Sequence, residues 1–203
     1  DHFRGFEKFW EIPGDAATAV DGCWRPGPGD RFFEMLQKSF GKVPVIAEDL
    51  GYITPEVHAL RDRWGFPGMR VLQFAFGDRF QDNPHRPYNC IPHCIVYTGT
   101  HDNETTAGWF RRSSGDAARA EIEMALGYMG SHGEDEVWDF IRLALSSVAD
   151  TAILPMQDVL GLGSEARMNI PGTVKNNWRW RMREDQLKPE LAARLRALNR
   201  IYG

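Results

Sequence analysis

This sequence predicts an α/β fold built on a parallel sheet, and three of its features lead there. Four short apolar runs, residues 43–47, 69–76, 94–98 and 151–154, are rich in Val, Ile, Leu or Phe. They lack the polar–apolar alternation of a half-wet antiparallel strand, as buried parallel strands do. Helical patterns occupy the segments around them. No low-complexity linker and no internal repeat breaks the alternation, which places residues 1–203 in one domain.

Each element has a local reason. Residues 31–40 read as a helix with Phe32, Phe33, Leu36 and Phe40 on one side. Thr54-Pro55-Glu56 offers an N-cap residue, a proline at the first helical position and an acid in the first turn, and Gly65 closes that helix. Two helical stretches, 116–129 and 134–148, lie between the third and fourth strands. The second is striped by Val137, Ile141, Ala144, Leu145 and Val148. Residues 187–201 form a terminal amphipathic helix, with Leu191, Leu195 and Leu198 one turn apart.

Composition narrows the function classes. A chain of 203 residues, 42% hydrophobic and 26% charged, can bury a real core and is not disordered. Its 24 Lys+Arg against 28 Asp+Glu give a net charge of −4, no footprint for nucleic acid or an anionic membrane. No apolar run approaches the ~18 residues of a spanning helix. Cys23, Cys90 and Cys94 cannot all pair and are too sparse for a disulfide scaffold, which favours a reducing compartment. No signal peptide opens the chain. Residue 1 is Asp rather than Met, so the chain is expected to be cut from something longer.

The strand ends carry the chemistry. The first run leads into Glu48-Asp49-Leu50-Gly51, the third into Gly99-Thr100-His101-Asp102-Asn103-Glu104, and the fourth into Pro155-Met156-Gln157-Asp158. Asp1, followed by His2 and Arg4, has the look of another such end. In parallel α/β folds the ligand sits beyond the carboxyl ends of the strands, where the loops converge. Several carboxylates in one cleft suit glycoside chemistry: one protonates the leaving oxygen, and a second, ~5–5.5 Å away in retaining enzymes, attacks the anomeric carbon. Crowded anions also help keep one of them protonated, as a general acid requires. The plain alternative is that Asp102 or Asn103 merely caps a helix starting near Thr105.

Lesser features leave two readings each. Asp78 suits either a sugar hydroxyl or a turn. Asn169, Asn177, Trp178 and Trp180 suit sugar stacking and hydroxyl hydrogen bonding, or simple packing. His93 between Cys90 and Cys94 invites a zinc reading, but no second ligand pair has the usual spacing. Asn103-Glu104-Thr105 is formally a glycosylation sequon, expected to be silent inside the cell. Neither a phosphate-binding glycine loop nor a Gly-x-Ser-x-Gly elbow is present.

Four stretches occur in order: Asp1-His2-Phe3-Arg4-Gly5-Phe6, Ala47-Glu48-Asp49-Leu50-Gly51, Tyr97-Thr98-Gly99-Thr100-His101-Asp102-Asn103 and Arg167-Met168-Asn169-Ile170-Pro171-Gly172-Thr173. With Gly65-Phe66-Pro67-Gly68-Met69, Leu72-Gln73-Phe74 and Pro155-Met156-Gln157-Asp158-Val159-Leu160-Gly161, they make the chain resemble the 4-α-glucanotransferases known as amylomaltase or disproportionating enzyme, a branch of the α-amylase superfamily. The resemblance implies that the four strands are the fifth to eighth of a (β/α)₈ barrel. Residues 1–203 would then be the C-terminal half of a catalytic barrel domain, ending at the family's natural C-terminus and lacking its N-terminal half.

It also implies roles. Asp1 matches the nucleophile, Glu48 the general acid/base and Asp102 the transition-state stabiliser. His101 matches a histidine that grips the donor sugar. Asp78, Asn169 and Asn103 join it as substrate-binding candidates. The Arg that normally stands two residues before the nucleophile would precede the first residue. The implied substrates are α-1,4-glucans and maltooligosaccharides, the implied partner is the missing half of the barrel, and no metal or organic cofactor is required. The expected location is the cytoplasm, or a plastid if the source is a plant. The alternatives are a non-catalytic glucan-binding or structural remnant, and a hydrolase in which water rather than sugar takes the acceptor site.

Overall fold

A computed structural model describes residues 2–77, 81–112 and 115–203. The architecture is α/β, and the chain divides into two compact units, Asp1–Met69 and Arg70–Gly203.

The first unit contains a short helix α1 (Arg4–Glu7), an antiparallel hairpin of β1 (Lys8–Glu11) and β2 (Cys23–Pro26), and helices α2 (Asp30–Phe40) and α3 (Pro55–Arg63). Its core is aromatic. Phe33, on the inner face of α2, lies 5.6 Å from Phe3 and 5.1 Å from Phe66, ring centre to ring centre. Ala47, Val57 and Leu60 complete the buried cluster. The α2 side chain expected inside at the far end, Phe40, is exposed instead. Pro55 starts α3, and Gly65, at φ +63°, takes the left-handed turn that ends it.

Residues 43–47, expected as a strand, join no ladder. Pro44 has no N–H to donate, and the Val45 N–H turns back to the Val43 carbonyl at 3.1 Å. The segment is tied at single points: Ala47 N–H donates to Pro67 O (2.9 Å), Phe3 N–H to Glu48 O (2.8 Å), and an isolated parallel bridge joins His2 and Glu48. The hairpin is the converse case, an element the sequence does not announce. Its connection, residues 12–22, is too long for the two-residue turns that mark hairpins.

A three-stranded sheet has the order β3 (Gly68–Val71), β4 (Cys94–Tyr97), β5 (Thr151–Ile153), and the division between units falls inside β3. β4 and β5 are parallel, with Ile95 opposite Thr151 and Tyr97 opposite Ile153. The second predicted strand stops at Val71, because Leu72–Phe74 winds into a 3₁₀ turn. Leu72, Ala75 and Phe76 are nonetheless fully packed, against Val96, Trp109 and Phe140. The apolar run reported burial, which does not by itself choose a strand. β5 is also wetter than expected, with Thr151 and Ile153 exposed.

Helices α4 (Thr106–Arg111), α5 (Gly115–Met129), α6 (Glu136–Leu145), α7 (Met156–Val159) and α8 (Pro189–Tyr202) complete the second unit. The α6 stripe of Val137, Ile141 and Ala144 is buried as its spacing predicts, but the helix ends at Leu145 and leaves Val148 exposed. Leu191, Leu195 and Leu198 of α8 pack against the cluster of Val137, Trp138, Ile141 and Val159. No helix among the described residues is long and apolar enough to cross a membrane.

Candidate active site

Glu48 sits where the bridged segment leaves the core of the first unit. Its Oε1 accepts the Leu50 N–H at 3.3 Å, and its Oε2 lies 3.8 Å from His2 Nδ1. The Arg4 N–H approaches that same Nδ1 at 3.3 Å. Arg4 binds the neighbourhood together. Its guanidinium lies 4.3 Å from the Trp24 ring centre and 4.9 Å from that of Tyr52, and its Nη1 donates to Tyr52 O at 2.9 Å.

The next residue faces the other way. Asp49 is buried, its Oδ2 accepting from Arg61 Nη1 at 2.5 Å and its Oδ1 from the Met69 N–H at 2.7 Å. Burial works against the Arg61 charge, but hydrogen bonds to Asp62 and Asp49 outweigh it and raise the pKa of the guanidinium. Gly68 makes room for this pair. A Cβ there would run into Asp49 Oδ2 and stand 2.9 Å from Arg61 Nη1.

In the second unit the loop 99–105 follows β4. Asp102 is exposed, and its Oδ1 accepts from Asn169 Nδ2 at 2.5 Å and lies 3.4 Å from His101 Nε2. The Asn169 N–H donates to His101 O at 3.1 Å, and the Trp178 ring sits 5.0 Å from the His101 ring. Arg167 gathers the backbone, with Nη2 donating to Asp102 O (2.9 Å), Nε to Asn169 O (3.0 Å) and Nη1 3.4 Å from Glu104 Oε2. The Oδ1 of Asn103 accepts from the N–H and hydroxyl of Thr100, at 2.9 and 2.7 Å, an arrangement that shapes the loop. The cap of α4 is Thr105, whose hydroxyl accepts the Gly108 N–H at 3.1 Å, and not Asp102 or Asn103.

The structure thus brings His101, Asp102, Asn169 and Trp178 together, and places Glu48 beside His2. Asn177 serves its own loop, accepting from Ile170 N–H and donating to Thr173. Asp1 and Asp78 lie outside the described residues. Asp158, a strand-end carboxylate in the sequence, points into the protein, where burial pushes its carboxyl pKa up despite bonds from Thr98 and Thr106.

Cys90 and Cys94 also face inward and hydrogen-bond to each other. That bond holds Cys94 down to about 7 and keeps the Cys90 thiol protonated. His93 is exposed beside Asp150. Among the described residues no three His, Cys, Asp or Glu side chains are grouped to hold a metal ion.

The sequence motifs include Arg4 and Arg167 without giving either a role, and Arg61 stands outside them. Arginine spacing carries no signal of its own, and each of the three has a partner distant in the chain: Tyr52 for Arg4, Asp49 for Arg61 and Asp102 for Arg167.

A family model described as 4-alpha-glucanotransferase matches residues 1–187. The chain belongs to that family. It is 53% identical over 206 residues to the 4-alpha-glucanotransferase of Thermus thermophilus, covering 98% of this chain and 40% of that protein. The chloroplastic/amyloplastic 4-alpha-glucanotransferase of Arabidopsis thaliana is 49% identical over 208 residues, covering 100% of this chain and 35% of its own length. This member of the family therefore spans about two-fifths of the curated relatives it matches. Among solved structures it is similar to amylomaltase from Streptococcus agalactiae in complex with acarbose, with a TM-score of 0.90 and 39% identity, over 100% of this chain and 40% of the other. Amylomaltase from Corynebacterium glutamicum, at 19% identity and a TM-score of 0.75 over 98% of this chain and 34% of the other, shares the fold.

Proposed function

We propose that this chain carries the catalytic carboxylates of a retaining 4-α-glucanotransferase acting on α-1,4-glucans and maltooligosaccharides. Residues 1–203 would contribute the fifth to eighth strands of a single (β/α)₈ barrel domain, with further chain supplying the other strands. The observation that carries the reading is the family match over residues 1–187, which includes Asp1, Glu48 and Asp102. The exposed Asp102 carboxylate, on a loop leaving a parallel strand and held by Asn169, supports it.

In this mechanism Asp1 attacks the anomeric carbon while Glu48 gives its proton to the departing 4-oxygen, leaving a glucosyl ester on Asp1. Glu48, now a carboxylate, takes the proton of an acceptor sugar's 4-hydroxyl, and that oxygen displaces Asp1 and remakes the α-1,4 bond. Asp102 stabilises the oxocarbenium-like charge in both steps. His101 and Asp78 hydrogen-bond the donor sugar, Trp178 backs His101, and Asn169 and Asn103 keep the Asp102 loop in place. The residues named perform every step without a metal or organic cofactor. The proposed location is the cytoplasm or, in a plant, a plastid, the latter in keeping with the chloroplastic/amyloplastic relative from Arabidopsis thaliana.

The test is a time course of a full-length protein carrying this sequence with maltotriose. A ladder of longer maltooligosaccharides plus glucose is expected. Plain accumulation of glucose and maltose would mean hydrolysis, and no turnover would favour the remnant.

A further inference from the structure

The loop that carries His101 and Asp102 is pinned at both ends by one side chain to which the mechanism gives no work. Asp158, on α7, is 1% exposed. Its Oδ2 accepts from the hydroxyls of Thr98 (2.6 Å) and Thr106 (2.7 Å), and its Oδ1 accepts the Thr106 N–H at 2.7 Å. Thr98 directly precedes loop 99–105 and Thr106 directly follows it. Both threonines are fully buried.

Burying a carboxylate among uncharged donors is costly, and apolar residues of the same shape would fill this space at less expense. What the carboxylate adds is geometry: three short bonds that fix where the loop leaves β4 and where it enters α4. The middle of the loop is held separately, by Gln73 Nε2 on Glu104 O (2.8 Å) and by Arg167 on Asp102 O. Asp158 is itself anchored, since its own N–H donates to Pro155 O at 3.0 Å just beyond β5.

We infer that Asp158 is a positioning residue that latches both ends of loop 99–105 and thereby sets the place of the Asp102 carboxylate. The inference rests on the proposed transferase reading for its effect on rate, but not for the latch itself. Beyond its contacts with Asn169 and His101, the exposed Asp102 side chain gets little guidance from packing, so its position follows that of its backbone. A shift of ~1 Å in such a group costs on the order of a hundredfold in rate.

The experiment uses a full-length protein carrying this sequence, in three variants: Asp158→Ala, Thr98→Val and Thr106→Val. Steady-state kinetics with maltotriose and amide hydrogen exchange of residues 99–105 are read for each, per folded molecule. Asp158→Ala should lower kcat by about tenfold to a hundredfold with little change in KM, and speed exchange in 99–105 while other core segments keep their protection. The two Thr→Val variants, each keeping a bond from the other threonine, should move both readouts the same way by less, and they answer the question if Asp158→Ala does not fold. Unchanged kcat per folded molecule in an active protein overturns the inference, whatever happens to the melting temperature. If the wild-type protein transfers no glucan, the functional reading fails by itself. Exchange in 99–105 then decides alone, and unchanged protection overturns the latch.

Discussion

Two buried aspartates stand behind the two described catalytic candidates, and they are stabilised in opposite ways. Asp49, next to Glu48, accepts from the Arg61 guanidinium and from the Met69 N–H. Asp158, behind the Asp102 loop, faces two hydroxyls and one N–H and no cation. The first arrangement is a charge pair, strong while both members are present and costly when either is lost. The second is a lone carboxylate whose charge is opposed by burial, so its pKa rises and its stability contribution depends on pH. Similar anchoring of a strand-end segment is thus reached with different vulnerabilities.

Removing the chemistry should have the largest effect and leave both anchors intact. Glu48→Gln in a full-length protein should cut transfer by about 10²–10⁴-fold, the usual worth of a general acid, while unfolding free energy shifts by no more than about 0.5 kcal/mol. With a glucosyl fluoride donor, whose leaving group needs no proton, that variant should accumulate an adduct that mass spectrometry finds on Asp1. An adduct elsewhere would reassign the nucleophile.

Next comes the charge pair. Arg61→Ala removes the guanidinium that donates to the buried Asp49 carboxylate and should cost about 3–5 kcal/mol in urea unfolding. A loss under about 1 kcal/mol would show that Arg61 is not what holds Asp49 and erase the contrast with Asp158.

Thr105→Ala removes the α4 cap beside the other anchor and should cost about 1 kcal/mol in the same assay. A null result there would mean that Asp158 alone holds the start of α4.

The subtlest prediction separates the anchors by pH. Because folding raises the Asp158 pKa, its contribution is fully present below the ordinary carboxylate value and is lost as pH rises through the folded one. Asp158→Asn does not titrate there, so its stability deficit against wild type should be greatest in acid and shrink toward neutrality. A deficit that grows with pH would reverse the assigned direction.

Much of this was legible in the residues themselves. β4 is buried from Cys94 to Val96, as its unbroken apolar run implies, and the α6 stripe and the α8 leucines follow their periodicity because burial on one face is what periodicity encodes. Residues 43–47 fail as a strand because Pro44 removes a donor, a veto that apolar content does not register. The β1–β2 hairpin went unseen because its long connection leaves no turn signature, and its strands are exposed on both faces. At the site, the sequence motifs pick out Glu48, His101 and Asp102, and the strand ends equally offer Asp49 and Asp158. Only packing separates the exposed Asp102 from those two, and among neighbours Glu48 from Asp49, since one position along an extended segment turns a side chain to the opposite face.

The bare backbone at Gly68 ties its fate to two other positions. While Asp49 and Arg61 hold each other, even a methyl group at 68 meets their facing atoms. Once that pair is gone, the same methyl would fill vacated space. The three sites are therefore epistatic: a substitution at 68 is harmful on one background and tolerable on another. A side chain is accommodated there more readily once the ion pair has been surrendered, so the order of substitutions, and not only their sum, bears on this fold.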